Sequence, residues 1–355
     1  KRSEMKGKFS ETLLEWNRKK NTRLMPWKGE KDPYKIWLSE IILQQTRVEQ
    51  GLGYYNRFVS VFPNIEQLAS AREEKVFKLW EGLGYYTRCR NLIATARLIA
   101  TEYNGVFPDS YDKIRSLKGI GPYTAAAISS FAFDLPHAVV DGNVFRVLSR
   151  IFGISTPVDL SEGKKIFSRL ANELLDKKFP GEYNQSIMDF GAVICKPASP
   201  DCPNCIFKTQ CWAYLNNKIA ELPVREKRIA IKKRWFYYLV IKYRDEYVIR
   251  QRIEKDIWNQ LFEFPLHESG HELDAGSVLN NAEKAGLLPR EAYTLHGYSP
   301  VTRQKLSHQL IEGQFFSIQL LKKPKAGKDL LWVQKDQLNK YAFPRLISKY
   351  LEATK

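Results

Sequence analysis

The stretch Leu117-Lys118-Gly119-Ile120-Gly121-Pro122-Tyr123-Thr124-Ala125 decides the fold of the first part of the chain. A helical pattern from about Tyr111 leads into it, and an apolar, alanine-rich helical pattern follows it. The two glycines allow a tight hairpin with positive φ, so that backbone N–H groups face outward. With the N-terminus of the following helix, the amides at Gly119 and Gly121 would bind an anion such as a DNA phosphate. The pattern predicts a helix-hairpin-helix that grips the DNA backbone without reading bases; an ordinary glycine-capped turn between helices is the alternative.

The run Val140-Asp141-Gly142-Asn143-Val144 opens the next helical pattern. Either Asp141 or Asn143 can cap that helix, which leaves Asp141 available for another role. At the positive end of a helix, we expect the Asp141 carboxylate to remain ionised at neutral pH. The alternative is that Asp141 is only a helix cap.

Glu40 lies within the mostly apolar run Ile36-Trp37-Leu38-Ser39-Glu40-Ile41-Ile42-Leu43-Gln44-Gln45-Thr46. A carboxylate on such a helix is costly to bury unless it is paired or protonated. Desolvation raises the pKa of a carboxyl group, which is the condition that a general acid needs. The sequence therefore predicts a candidate acid at Glu40, and an edge glutamate in a surface ion pair is the alternative.

Four of the five cysteines are clustered with the spacing C-x6-C-x2-C-x5-C, at Cys195, Cys202, Cys205 and Cys211. In a large intracellular chain, such clustering favours a metal site over disulfides. Four thiolates so close together can hold either a tetrahedral zinc ion or an iron–sulfur cluster. Spacing alone favours neither.

The chain has 355 residues and a formal net charge of +17, from 56 lysines and arginines against 39 aspartates and glutamates. So large an excess indicates a polyanionic partner, with nucleic acid as the first candidate. A ribosome-associated protein or a basic solvated surface would show the same excess. No run of about 18 apolar residues occurs, so we expect no membrane span and no membrane partner.

The character of the sequence changes after Leu222–Pro223. Apolar residues recur at helical spacing before that point, whereas the eleven residues from Val224 to Arg234 include six basic residues, as an exposed linker would. Beyond it we predict strands at Phe236–Tyr243, Glu246–Arg250 and Gln314–Leu320, a turn at Arg244–Asp245, and helices at Val278–Ala285 and Arg345–Glu352. The sequence thus predicts a multidomain fold with an all-α domain (1–216), a basic linker (217–234) and a smaller α+β domain (235–355).

Taken together and in this order, these motifs resemble the MutY family of helix-hairpin-helix DNA glycosylases. The resemblance is carried by Glu40 with Gln44-Gln45-Thr46-Arg47, by Gly82-Leu83-Gly84-Tyr85-Tyr86 and by Val140–Val144. It implies that the four cysteines hold a [4Fe–4S] cluster, structural or redox-tuned rather than catalytic. It also implies an enzyme that flips adenine out of duplex DNA opposite 8-oxoguanine, or less efficiently guanine, and cuts its N-glycosidic bond. In the sister endonuclease III branch, the position of Tyr123 is a lysine that attacks the sugar; tyrosine cannot, so the resemblance implies a monofunctional glycosylase that leaves an abasic site.

The resemblance also implies roles for individual residues. Glu40 would protonate N7 of adenine, and Asp141 would stabilise or trap the oxocarbenium-like sugar. Tyr123 and Asn143 would position Asp141 or the reaction intermediate. Trp27 and Gln185 would line the adenine pocket. Gln45, Thr46 and Tyr85 would wedge into the base stack where the adenine has left it.

The C-terminal region resembles a Nudix-like domain, in Trp258-Asn259-Gln260-Leu261-Phe262-Glu263-Phe264-Pro265 and Ala342-Phe343-Pro344. The G-x5-E-x7-R-E-x2-E-E-x-G run of Nudix hydrolases is missing, so we expect lesion recognition without hydrolysis. Family members recognise 8-oxoguanine with a Phe-Ser-His loop, which reads Leu306-Ser307-His308 here, so Ser307 and His308 are the candidate lesion contacts.

Other functions remain open at this point. A glycosylase for another mispaired base, such as thymine opposite guanine, is the nearest alternative, followed by a non-catalytic DNA-binding protein and a nucleotide-pool Nudix hydrolase. The main reading implies a monomer in the cytoplasm of a bacterium, associated with the nucleoid.

Overall fold

A computed structural model describes residues 2–25, 27–226, 230–324 and 329–354, with side chains from residue 7 onward. The chain divides into two compact units, of which the first comprises Lys1–Ser70 and Arg90–Lys227 and the second Ala71–Cys89 and Arg228–Lys355. The division expected at residues 216 and 235 remains a proposal. No helix in the described residues is long and apolar enough to cross a bilayer.

Helices make up the first unit, apart from the loops between them. In chain order the α-helices of the whole described chain are α1 Arg2–Lys20, α2 Pro33–Leu43, α3 Val48–Val61, α4 Ile65–Ser70, α5 Glu73–Trp80, α6 Thr87–Glu102, α7 Tyr111–Ser116, α8 Pro122–Phe133, α9 Gly142–Phe152, α10 Ser161–Leu174, α11 Pro180–Val193, α12 Trp212–Leu215, α13 Ala275–Lys284 and α14 Arg345–Ala353. The all-α prediction for this part of the chain is confirmed.

The predicted helix-hairpin-helix is formed by α7 and α8. Gly119 has φ of +81°, and a Cβ there would lie 2.7 Å from Cβ of Asn91, so both backbone conformation and space require glycine. Gly121 differs from the prediction, because its φ of −89° is an ordinary extended value and it is the N-cap of α8, followed by Pro122. Positive φ therefore occurs at one of the two hairpin glycines, and both are exposed.

The core of the first unit is built from helices with broad apolar faces. On α9 the predicted periodic stripe is buried in full, at Val144, Val147, Leu148, Ile151 and Phe152. Helix α2 packs on α8 and α3, and α8 is alanine-rich, which allows a close approach. Because α2, α8, α9 and α11 pack on one another in this way, they bring residues distant in sequence to one cavity.

The second unit is a mixed sheet with helices α13 and α14. Its strands are β1 Lys232–Tyr243, β2 Glu246–Gln251, β3 Phe262–Glu263, β4 Leu266–Ser269, β5 Tyr293–Tyr298, β6 Thr302–Lys305, β7 Gln309–Leu320 and β8 Leu331–Gln334, with a 3₁₀ helix at Lys335–Lys340. Long strand β1 pairs parallel with β7 and antiparallel with β2 and β4. The strands, turn and helices predicted for this region are confirmed, and the region combines a sheet with helices, as predicted.

The predicted linker extends too far towards the C-terminus. Strand β1 begins at Lys232, and Arg234 is buried at 7% exposure rather than lying on an exposed linker. Its guanidinium donates to Glu268 at 2.6 Å and to Asp256 at 2.7 Å, so ion pairing compensates its burial. Residues 227–229 of the expected linker lie outside the described residues.

The segment 71–89 belongs to the second unit through specific hydrogen bonds. Lys78 Nζ donates to the carbonyl of Tyr341 at 2.9 Å. The Glu81 carboxylate accepts from the backbone N–H of Phe343 at 3.0 Å and from Ser348 Oγ at 3.1 Å. These bonds hold the Gly82–Tyr86 motif close to the sheet of the same unit.

Candidate active site

A cavity of about 790 Å3 in the first unit brings together most of the residues predicted for chemistry. Those of the predicted residues that line it are Trp27, Glu40, Gln45, Thr46, Tyr123, Asp141, Asn143 and Gln185. They come from α2, α8, α9, α11 and the loops beside them. Glu30 and Glu182 also line the cavity, so it is rich in titratable side chains, as a catalytic site often is.

Glu40 is positioned by α2. The helix begins at Pro33, with the Asp32 side chain accepting from the N–H of Tyr34 at 2.9 Å, and most of its residues are buried. Glu40 is 7% exposed among them. Burial raises the pKa of its carboxyl group to about 7; a hydrogen bond from Tyr123 opposes this rise and the charge of Asp141 adds to it. The expected buried, high-pKa carboxyl is therefore present.

Tyr123 lies in the first turn of α8, directly after the hairpin. Its hydroxyl donates a hydrogen bond to the Glu40 carboxyl, and burial raises the pKa of Tyr123 well above its ordinary value. The phenol therefore remains a neutral donor that orients Glu40. Nearby, Gln44 Nε2 donates to Thr124 Oγ1 at 3.2 Å, a second hydrogen bond between α2 and α8.

Asp141 is the N-cap of α9, which is the capping role that the sequence offered as one of two possibilities. Its Oδ1 accepts from the N–H of Val144 at 2.7 Å, and its Oδ2 accepts from Asn143 Nδ2 at 2.7 Å. Burial raises the pKa of Asp141, and the hydrogen bonds from Val144 and Asn143 oppose that rise. The hydrogen bonds at the helix N-terminus thus favour the ionised Asp141 carboxylate, as expected. Desolvation, which the sequence did not reveal, favours its protonated form. Capping and facing the cavity are compatible, because Asp141 does both.

A chain of hydrogen bonds runs from Asp141 along α9. Asn143 accepts at Oδ1 from Arg146 Nη2 at 2.8 Å, and Arg146 Nε donates to the carbonyl of Cys195 at 2.7 Å. One turn later, Arg150 donates to the carbonyl of Lys196 at 2.8 Å. Helix α9 therefore connects the cavity to the cysteine loop through buried guanidinium groups.

The four cysteines of the predicted metal site border one small cavity at the other end of α9. All are free thiols, and Arg150 Nη1 lies 3.6 Å from Cys195 Sγ. Burial raises the pKa of the Cys205 thiol to about 12, and the other three thiols add to that rise, since like charges repel. In the described residues, no three histidine, cysteine or acidic side chains are arranged to hold a single metal ion.

Trp27 and Gln185 also line the cavity. The Trp27 ring packs edge-on against Tyr55, with centroids 5.5 Å apart. Gln185, on α11, donates from Nε2 to Asp189 at 2.9 Å. Asp189 was not predicted from the sequence, although its i, i+4 spacing from Gln185 on a helix was a signal for it.

The residues predicted to wedge into DNA have an unusual backbone. Gln45 and Tyr85 have φ of 55° and 49°, in the left-handed region that non-glycine residues rarely adopt. Thr46, which follows Gln45, donates its N–H to the carbonyl of Leu43 at 3.1 Å. Such conformations occur at functional sites when neighbouring structure holds them in place.

Tyr85 and Ser307 meet in the second unit, although they are 222 residues apart in sequence. The Tyr85 hydroxyl and Ser307 Oγ are 2.6 Å apart and form a hydrogen bond. Ser307 and His308 form the turn between β6 and β7, which the Leu306 N–H closes by donating to the Gln309 carbonyl at 2.7 Å. The His308 side chain is exposed, and its carbonyl accepts from the N–H of Lys232 at 2.9 Å.

Both units match known protein families. Residues 38–175 match the model of the HhH-GPD superfamily base excision DNA repair proteins, and residues 236–353 match the NUDIX domain model. In the curated proteins, an adenine DNA glycosylase of Buchnera aphidicola subsp. Baizongia pistaciae is 38% identical over 258 residues, which are 72% of this chain and 73% of that protein. An adenine DNA glycosylase of Mus musculus is 39% identical over 215 residues, which are 58% of this chain and 42% of that protein.

Two solved structures resemble the helical part. A thermostable thymine-DNA glycosylase has a TM-score of 0.56 at 30% identity, covering 60% of this chain and 98% of that one. A non-covalent endonuclease III–DNA complex has a TM-score of 0.51 at 20% identity, covering 60% and 97%, and shows likeness of fold alone.

The helical fold, the hairpin and the cavity that holds Glu40 and Asp141, taken with these matches, define a base-excision DNA glycosylase, an enzyme that hydrolyses N-glycosyl bonds. The chain belongs to the adenine DNA glycosylase family, the MutY type that its motifs resemble.

Proposed function

We propose that the chain removes adenine from duplex DNA by hydrolysing its N-glycosidic bond, and that it acts as a monomer. The observation that carries this proposal is the buried Glu40, whose pKa burial raises to about 7, in the same cavity as Asp141. Adenine is a poor leaving group until a ring nitrogen is protonated. An acid that still holds its proton near neutral pH meets that need.

In the proposed mechanism, Glu40 donates its proton to N7 of the flipped adenine while the bond between the base and C1′ of the sugar breaks. The electron pair of that bond leaves with the base, and the sugar becomes an oxocarbenium-like cation. Tyr123 holds the Glu40 carboxyl in position through its hydrogen bond. Water then adds to C1′ and loses a proton, which yields an abasic site.

Asp141 stabilises the sugar cation by its negative charge. The hydrogen bonds from Val144 and Asn143 fix the orientation of its carboxylate before the reaction, so little reorganisation is needed when positive charge develops. Two carboxyl groups in different environments, one protonated and one anionic, divide acid and electrostatic roles as in glycosidases.

We propose that the enzyme is monofunctional. Lyase chemistry requires an amine that attacks C1′, and the hairpin position that would offer one is Tyr123. The lysines in the described cavity lining are paired with carboxylates: Lys28 Nζ is 3.0 Å from Asp189, and Lys31 Nζ is 2.9 Å from Asp134. A charged amine in an ion pair is a poor nucleophile.

We further propose that Ser307 reads 8-oxoguanine as the base opposite adenine. Ser307 lies at the tip of a hairpin turn, and the Tyr85 hydroxyl orients its Oγ. The hydrogen bond between the two hydroxyls gives both side chains a preferred orientation. An exposed, oriented hydroxyl suits recognition of the N7–H and O8 that distinguish 8-oxoguanine from guanine.

Thymine is the competing base, since the thymine-DNA glycosylase structure is 30% identical to this chain. That likeness covers 60% of the chain, whereas the match to the NUDIX domain model lies in residues 236–353. The relatives described as adenine DNA glycosylases reach 38% identity over 72% of the chain. These observations favour adenine.

We propose that Cys195, Cys202, Cys205 and Cys211 hold a [4Fe–4S] cluster. Four free thiols border one cavity, a soft donor set that suits iron–sulfur clusters and zinc alike. The chain belongs to the adenine DNA glycosylase family, and the MutY resemblance of its motifs implies a [4Fe–4S] cluster at these cysteines rather than zinc. Such a cluster would brace the loop that Arg146 and Arg150 contact.

Replacing Asp141 with Asn should abolish excision while leaving DNA binding largely intact. Asn can still accept the capping hydrogen bond from Val144, so the variant removes charge and leaves the helix cap. We expect the single-turnover rate on adenine opposite 8-oxoguanine to fall about a thousandfold. The wild-type enzyme should give strand breaks at that adenine only after alkali. Breaks without alkali would exclude a monofunctional enzyme, and excision by Asp141→Asn within a few-fold of wild type would leave Asp141 as a cap only.

Replacing Ser307 with Ala should reduce the preference for 8-oxoguanine over guanine opposite adenine by about tenfold, because one hydrogen bond of about 1.4 kcal/mol is lost. The rate opposite guanine should change little. Tyr85→Phe removes only the hydroxyl that bonds to Ser307. The double variant with Ser307→Ala should therefore lose less of the preference for 8-oxoguanine than the sum of the two single losses. Equal loss on both substrates would contradict a reading role for Ser307.

The purified enzyme should contain iron and acid-labile sulfide in equal amounts, about four of each per chain. Cys202→Ser should lower both, because one of the four proposed ligands is lost. Cys89→Ala is the matched control, since Cys89 is a buried cysteine that does not line the cysteine cavity, and the variant should keep its full iron content. Zinc in place of iron and sulfide would overturn the cluster proposal.

A further inference from the structure

Asp189, on α11, is a wholly buried carboxylate whose acceptor positions are all used. Its Oδ1 accepts from Arg23 Nη1 at 2.8 Å and from Gln185 Nε2 at 2.9 Å. Its Oδ2 accepts from Asn21 Nδ2 at 2.8 Å and from Lys28 Nζ at 3.0 Å. A carboxylate offers about four lone-pair sites, so this one is saturated, and two cations compensate its burial.

Three of the four donors belong to the loop between α1 and α2. This loop has no regular secondary structure in the described residues, and it carries Trp27 into the cavity wall. Lys28 Nζ also donates to the Arg23 carbonyl at 3.2 Å, so the loop folds back around the Asp189 carboxylate. Asp189 therefore acts as the anchor of one cavity wall, although it does not itself line the cavity.

The fourth donor is Gln185, and its hydrogen bond to Asp189 orients the Gln185 side-chain amide. A carboxylate has only acceptor oxygens, so the edge of Gln185 that faces Asp189 must be its NH2 group. The carbonyl oxygen, Oε1, then forms the other edge of the amide, and Gln185 lines the cavity. Within the described residues Oε1 accepts no hydrogen bond, so it is available as an acceptor for a bound base.

We infer that Asp189 is a positioning residue for base specificity, because it holds Gln185 so that a carbonyl oxygen rather than an NH2 group meets the base. This inference rests on the proposed function and names the chemistry that selects its substrate. Adenine has an exocyclic amino group at C6, which donates to that oxygen. Hypoxanthine has an oxygen at the same position. That oxygen would face the Gln185 carbonyl oxygen, and two acceptors cannot form a hydrogen bond. The site would therefore favour a 6-amino purine over a 6-oxo purine.

The test compares excision of adenine and of hypoxanthine opposite the same partner base by wild-type enzyme and by Asp189→Asn. An asparagine can either accept from Gln185 or donate to it, so the amide is no longer held in one direction. We expect the preference for adenine over hypoxanthine, taken as a ratio of single-turnover rates, to fall at least about tenfold. The matched control is Glu15→Gln, which removes an exposed carboxylate on α1 paired with Lys19, and it should keep the wild-type ratio.

A purely structural role for Asp189 gives a different result. Loosening of the loop would lower both rates by the same factor and leave the ratio unchanged, and an unchanged ratio overturns the inference. Gln185→Leu provides a second variant, which removes the amide that Asp189 is inferred to orient. It leaves the cations around Asp189 in place and should lose the same preference, and adding Asp189→Asn to it should change the ratio no further. A Gln185→Leu enzyme that keeps the wild-type ratio also overturns the inference.

The wild-type measurement separates the two proposals. A wild-type enzyme that fails to release adenine contradicts the proposed function itself. Release of adenine by wild type, with a ratio that Asp189→Asn does not alter, contradicts only the role assigned to Asp189.

Discussion

Desolvation of the Glu40 carboxyl group is the physical constraint around which the catalytic cavity is organised. A carboxyl group at 7% exposure on an apolar helix keeps its proton to a higher pH than one in water, and that proton is what an adenine leaving group requires. The buried Glu40 carboxyl group also needs a hydrogen-bond donor to hold its orientation. Tyr123, in the first turn of the helix after the hairpin, supplies that donor. The helix-hairpin-helix therefore places a candidate phosphate-binding turn and the partner of the acid within a few residues of each other.

The burial of each of the other charged groups near the cavity is compensated by a different set of hydrogen-bond partners. Asp141 lies at the N-terminus of α9 and accepts from Val144 and Asn143, so hydrogen bonds support its anion. Asp189 is surrounded by cations and amides and serves the cavity wall. Arg146 is held by carbonyls and by Asn143. Burial is thus compensated by backbone and amide donors at Asp141, by cations at Asp189 and by carbonyl acceptors at Arg146, all within one unit.

Local features of this protein could be predicted from the sequence, because their causes are local. The apolar stripe of α9, the helices on either side of the hairpin and the turn at Arg244–Asp245 all follow from spacing and residue type. Long-range partners could not be predicted in this way. The Tyr85–Ser307 bond joins residues 222 positions apart, and Lys28 reaches Asp189 across 161 positions. Burial of Arg234 likewise depends on Asp256 and Glu268, so a basic run that resembles a linker becomes the start of a strand.

The most direct test of the central claim is the pH dependence of adenine excision, measured as the second-order rate constant, which reports on ionisation in the free enzyme. Burial, together with the charge of Asp141 and against the Tyr123 hydrogen bond, raises the pKa of Glu40 to about 7, so the carboxyl group is protonated below that pH and loses its proton above it. The rate constant should therefore fall as pH rises through about 7, approaching a tenfold loss per pH unit, and Glu40→Gln should lose both the activity and this dependence. A rate constant that stays flat from pH 6 to pH 9, or a Glu40→Gln enzyme with the wild-type profile, would contradict the assignment of Glu40 as the acid.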